Sequence, residues 1–197
     1  MPFRDRVAND AALSSRIFAS VLGREGSAHF DIHLDSRQIP TLGAGSALAS
    51  GTDRPYTLME REEINVRLGA ANPKYSLDQN GYNILSDVLT LVNQNKNQAA
   101  LELLISGKSG NPSLGRRLSE PERDNLLRWE IDQQLDATDR NFRNRLAELV
   151  RDGQTQATIQ SLVEGMSSNQ VEGVFIVNNV TVDLNAAGGT YIDWACA

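Results

Sequence analysis

The sequence has little cysteine, no long apolar run and no excess of basic charge. Its 197 residues include one cysteine, Cys196. A single thiol cannot close an internal disulfide, so the fold needs no oxidising compartment. Cys196 also lies far from either histidine in sequence, which argues against a thiol nucleophile. No apolar stretch reaches the roughly eighteen residues that a membrane-crossing helix requires. The opening residues, MPFRDRVANDAAL, carry charge where a signal peptide needs an apolar core, so none is expected. Lys and Arg number 19 against 25 Asp and Glu, for a net charge of −6. Phosphate backbones and anionic membranes attract basic surfaces, so nucleic acid is not an expected partner. No internal repeat is visible.

What the chain does contain is globular in kind, 40% hydrophobic and 22% charged. The length suits one domain with a real core, and a single domain over 1–197 is expected. Residues 10–24 read as a helix that Asp10 or Asn9 can cap, with Leu13, Ile17, Phe18 and Val21 on one face. Gly26 is a natural stop, which leaves Glu25 in the last turn. A period-two pattern follows. Phe30, Ile32 and Leu34 alternate with Asp31 and His33, Ser36-Arg37-Gln38 turns, and Ile39 to Leu42 returns, with a third strand expected after Gly45.

Further on, SGTDRPY (50–56) reads as a loop, 58–68 as a helix, and 71–83 as a loop. A strong helical pattern covers 84–105, with a break expected in the polar stretch 93–98, and 107–115 is a second connection. Ser119-Glu120-Pro121-Glu122 is a capping box opening a helix that buries Leu127, Ile131 and Leu135 and runs to about Arg151. Another helix is expected over 155–165. VFIVNNVTVDL (174–184) holds two β-rich runs around Asn178-Asn179, which predicts a hairpin. The expected fold is α+β and mostly helical, with a small N-terminal hairpin sheet and a C-terminal hairpin region over 171–197.

Glycoside hydrolysis needs an acid for the leaving oxygen and a second group to activate water. Glu25 has apolar neighbours in Val21, Leu22 and Phe30, the setting that raises a carboxyl's pKa. Asp35 lies ten residues on, at the hairpin turn, and Thr41 six beyond it on the returning strand. A threonine hydroxyl both donates and accepts, so it can hold a water. Gly43 and Gly45 remove side chains where a sugar chain would approach the backbone. Each feature alone has an ordinary explanation. A helix-ending glutamate is usually solvated, and an aspartate beside serine usually forms a turn.

Taken in order, the helix ending E-G, the hairpin with D-x5-T and the following G-x-G resemble the N-terminal part of the phage-type lysozymes (endolysins) and the related bacteriocin muramidases. The helix LSEPERDNLLRWEIDQQLD is similar to the one opening that family's C-terminal lobe. The resemblance implies a two-lobed lysozyme-like fold, with an N-terminal lobe at about 10–56 and a helical lobe at about 57–170. It implies Glu25 as general acid, Asp35 and Thr41 placing the attacking water, and inversion at the anomeric carbon of the MurNAc–GlcNAc β-1,4 bond. No cofactor and no metal are implied. Expected partners are peptidoglycan strands, reached in a target cell's wall after delivery or release from the cytoplasm, and an immunity protein in a producing cell. Three departures stand out: Ser46 occupies the place where the family has histidine, the stretch between Thr41 and Ser119 is longer, and the C-terminal end is unlike the family's closing helices.

Trp129 is a candidate for lining the sugar site, as are Trp194, Tyr56, Tyr75 and Tyr82, although core packing is the commoner role for such rings. His29 and His33 lack a third ligand at useful spacing and read as strand-surface residues, and Asp31 is the substitute for Asp35 if the register differs. The alternative from another class is a non-catalytic module that binds cell-wall glycan or a partner protein on a helical scaffold.

Overall fold

The computed structural model describes residues 2–25, 29–149, 161 and 164–180; the side chains of residues 2, 3, 24, 25, 142–149 and 176–180 lie outside that description. The described chain is mostly helical with a small antiparallel sheet, and it divides into two compact units. One comprises Met1–Val21 with Ile131–Ala197, the other Leu22–Glu130. The boundaries fall inside two helices, Ala11–Glu25 and Glu120–Leu149.

In the first unit α1 (Pro2–Asn9) precedes α2 (Ala11–Glu25). The expected cap on α2 is present: Asp10 Oδ1 accepts from the Leu13 N–H at 2.9 Å. Leu13 and Ile17 are fully buried, while Phe18 and Val21 are only partly so. α1 has no counterpart in the sequence reading.

The C-terminal segment corrects that reading. Residues around Asn178-Asn179 form no hairpin; helix α7 (Ser168–Val180) covers them, and 181–197 lie outside the described residues. Two local causes select helix. Ser167 and Gln170 make a reciprocal capping box, Ser167 N to Gln170 Oε1 at 2.8 Å and Gln170 N to Ser167 Oγ at 3.3 Å. Val171 and Phe175, four residues apart, are both fully buried, which is a helical stripe and not alternation. Polar ties hold α7 in its unit: Ser168 Oγ donates to Asp10 Oδ2 at 2.9 Å, and Arg16 Nε to Glu172 Oε2 at 2.9 Å. Propensity for strand in VFIV loses to this tertiary setting. The helix expected at 155–165 falls almost wholly outside the described residues.

In the second unit β1 (Ile32–Leu34), β2 (Pro40–Leu42) and β3 (Ser46–Ala47) form one antiparallel sheet in that order. The register pairs Ile32 with Leu42, His33 with Thr41, and Leu42 with Ser46. β4 (Ala49–Ser50) and β5 (Thr57–Leu58) make a second, two-stranded ladder across the expected 50–56 loop. α3 (Arg61–Ala71) starts three residues later than expected. The 84–105 pattern resolves into α4 (Gln79–Asn93) and α5 (Asn97–Gly110). α4 ends because Asn95 takes positive φ, 61°, while Asn95 N bonds Val92 O and Lys96 N bonds Leu91 O, both at 2.9 Å. That is a Schellman ending with asparagine in glycine's place.

α6 (Glu120–Leu149) opens where expected, on the Glu122 half of the box. Glu122 Oε2 accepts from both the backbone N–H and the hydroxyl of Ser119, at 2.8 and 2.9 Å, and Asn72 Nδ2 donates to Oε1 at 2.6 Å. These donors pull the Glu122 carboxyl down to about 2, the Ser119 N–H contributing most. Leu126, Leu127, Ile131 and Leu135 are buried. Ile32, Leu42, Leu48, Ile64, Leu85, Val88, Leu104 and Leu126 belong to one contiguous core that joins sheet, α3, α4, α5 and the start of α6.

A carboxyl held below its ordinary 4.5 contributes stability above that value, lost as pH falls through about 2. Glu122→Gln should therefore unfold at lower urea than wild type at pH 7, and the two midpoints should converge as the pH approaches 2. Denaturation by circular dichroism across that range checks it; a gap that stays constant with pH would be contrary.

Candidate functional site

Glu25, Asp35, Thr41, Gly43, Gly45 and Trp129 all fall in the second unit, Leu22–Glu130. Glu25 is the last residue of α2, as expected. Its side chain lies outside the described residues, as do residues 26–28. The first strand begins seven residues later, at Ile32.

Asp35 directly follows β1 and builds the hairpin turn. Its Oδ1 accepts from Arg37 N at 2.9 Å and Ile39 N at 2.8 Å, and its Oδ2 stands 3.7 Å from Arg37 Nε. The turn also needs Gln38 at φ 67°. One oxygen of this carboxylate is thus committed to backbone, and the other faces a guanidinium. Asp31, the substitute carboxylate, is engaged as well: Lys108 Nζ pairs with its Oδ2 and donates to Ile32 O at 2.9 Å. Lys108 was not singled out in the sequence, since it arrives from α5, far along the chain.

Side chains of directly paired residues share a face of the sheet. Ile32, Leu42 and Ser46 therefore share the core face, and His33, Thr41 and Ala47 share the other. Thr41 is 3% exposed, and its hydroxyl donates to Ile39 O at 3.1 Å, which leaves oxygen lone pairs to accept. His33, opposite Thr41, has Nδ1 3.2 Å from Asp31 O, and its ring stacks on His29 at 3.9 Å between centroids and 11° between planes. Burial pushes the His33 imidazolium below its ordinary range, and the nearby His29 adds to this, while the Asp31 carbonyl opposes it. The sheet thus groups Asp35, Thr41 and His33 at one end of the hairpin.

The two glycines differ. Gly43 has φ 57°, and a β-carbon there would meet Leu118 Cδ1 at 3.4 Å and Leu126 Cδ2 at 3.5 Å. Packing against α6 fills that space. Gly45, φ 99°, is exposed. Trp129 is partly buried against the core, with the Arg67 guanidinium 5.7 Å from its ring centre. Next to it, Glu130 accepts from the buried Ser46 hydroxyl, and Arg67 Nε stands 3.5 Å from the same Glu130 oxygen. Sequence reading missed this group, although Ser46 had stood out as the residue in histidine's place. The guanidiniums of Arg117 and Arg123 stand 5.5 and 5.0 Å from the centre of the Phe30 ring. Trp194 and Cys196 lie outside the described residues. Tyr56, Tyr75 and Tyr82 are all packed against the core, the usual role for such rings.

Among the described residues no group of three or more His, Cys, Asp or Glu is assembled to hold a metal ion, and no helix is long and apolar enough to cross a membrane.

Turn acceptor and negative charge are separable at Asp35. Asp35→Asn keeps an acceptor for the Arg37 and Ile39 N–H groups and should change stability by less than about 0.5 kcal/mol. Asp35→Ala strips both partners and should cost about 1–3 kcal/mol. Paired thermal melts measure the difference; equal melting of the two variants would contradict the turn role.

No protein-family profile, curated protein or solved structure matches the chain.

Proposed function

We propose that the chain is a muramidase with a lysozyme-like fold, cutting the β-1,4 bond between N-acetylmuramic acid and N-acetylglucosamine in peptidoglycan with inversion. The observation that carries the proposal is the order and placement of three residues. α2 ends on Glu25, Asp35 closes the first strand after it, and Thr41 sits mid-way along the paired strand. In this reading Glu25 protonates the leaving oxygen. Asp35 and Thr41 bracket the attacking water on the opposite side of the sugar. An inverting site keeps its two carboxyls roughly 6.5–9.5 Å apart to admit that water. The glycan runs past the exposed Gly45, with Gly43 and Trp129 shaping the wall behind it. The enzyme acts on the wall of a target cell as a delivered antibacterial effector, with an immunity protein as its partner in the producing cell.

One observation favours a second reading. Asp35 and Thr41 both have complete local reasons to be where they are, the one as a turn former, the other bonded to its own strand. A glycan-binding module without catalysis would use the same hairpin.

Release of reducing ends from purified peptidoglycan separates the two. Wild type should hydrolyse it, and Glu25→Gln, which keeps the shape and removes the proton, should lose about 10²–10⁴-fold in rate. Under the binding reading both proteins would sediment with peptidoglycan and neither would release sugar ends.

A further inference from the structure

Within the muramidase reading, on which this step rests, we propose that His33 is the base: its Nε2 takes the proton from the water held beside Thr41 as that water attacks the anomeric carbon. Four observations converge on it. His33 and Thr41 are directly opposed in the β1–β2 register, so their side chains stand side by side on the face opposite Ile32 and Leu42. A neutral ring that donates Nδ1–H to the Asp31 carbonyl, 3.2 Å away, leaves Nε2 as its lone-pair nitrogen. The stack on His29 fixes the ring plane. Asp35 is a poorer acceptor, because Oδ1 already receives two backbone N–H groups and Oδ2 faces Arg37.

The charged surroundings of His33 are mixed. Burial and His29 disfavour its protonated form; Asp31, itself paired with Lys108, and Asp35, itself beside Arg37, favour it. Burial dominates, so the ring is neutral and able to accept at neutral pH. Asp35 then steadies the imidazolium formed in the reaction. The step balances. The water oxygen bonds to the anomeric carbon as the glycosidic C–O bond breaks. Glu25 gives its proton to the leaving oxygen and His33 receives one from the water. Exchange with solvent returns both groups to their starting states.

The test compares wild type, Glu25→Gln, His33→Asn and His33→Ala on peptidoglycan across pH. Asparagine retains an N–H where Nδ1 donates to Asp31 O but has no basic nitrogen. His33→Asn should lose about 10²–10⁴-fold in kcat with little change in KM, and the acid limb of its kcat/KM profile should vanish. Added imidazole should restore part of the His33→Ala rate. If both variants fail to fold, nitrogen NMR of wild type decides: His33 should carry its proton on Nδ1 and titrate below an ordinary histidine, and a proton on Nε2 overturns the assignment. Hydrolysis that depends on Glu25 yet proceeds at wild-type rate in His33→Asn, with the acid limb intact, overturns the base alone. A folded wild type that cuts no peptidoglycan overturns the muramidase reading and the base together.

Discussion

The β1–β2 hairpin depends on its seat against the first turns of α6. Three strands of two or three residues have too little surface to stand alone in water. Here the core face of the sheet is fixed from behind. Gly43 lets β2 turn close to Leu118 and Leu126, Leu118 N bonds Phe30 O at 2.5 Å, and Ser46 reaches Glu130. A side chain at Gly43 would touch the leucine pair at ordinary contact distance but sit on a left-handed backbone. With one face anchored, period-two alternation leaves His33 and Thr41 together on the other.

Polar side chains do much of the fastening between these short elements. Asn93 bonds both the N–H and the C=O of Tyr56, at 2.8 Å each, and so extends the small β4–β5 ladder with a side-chain amide. Asp78 caps α4 through Gly81 N at 2.7 Å and accepts from Asn111, which in turn gathers Ser113 and Leu114. Lys108 ties α5 to β1 through Asp31 and Ile32. Each bond satisfies a group that would otherwise be stranded as helices and loops converge.

Local signals were legible and distant ones were not. The α2 cap, the hairpin, its third strand, the break between α4 and α5 and the opening of α6 all follow from residues within a few positions of one another. Where the sequence reading went wrong, a local signal of the same kind had been passed over. Ser167 and Gln170 have the spacing of Ser119 and Glu122, yet the β-branched run VFIV drew attention first, and Val171 with Phe175 then decided for helix. The carboxylates Asp31 and Asp35 could be chosen from sequence, and Arg37, the cation beside Asp35, lies two residues on, but the cation on Asp31 could not. Lys108 and the Glu130–Arg67–Trp129 group reach the sheet from far along the chain, and nothing in spacing announces them. The stacking of His29 on His33 likewise needed the bend at Asp31.

The two helix-opening motifs differ in the group that closes them. In α6 the residue that closes the box is Glu122, a carboxylate that binds a proton in acid; in α7 it is Gln170, an amide that does not. The start signal of one helix is therefore acid-labile, whereas its twin is blind to protons. Strong acid would loosen the clasp that joins Ser119 and Asn72 and leave the Ser167–Gln170 clasp itself untouched, although Asp10, which caps α2 and accepts from the neighbouring Ser168, is a second proton-sensitive cap.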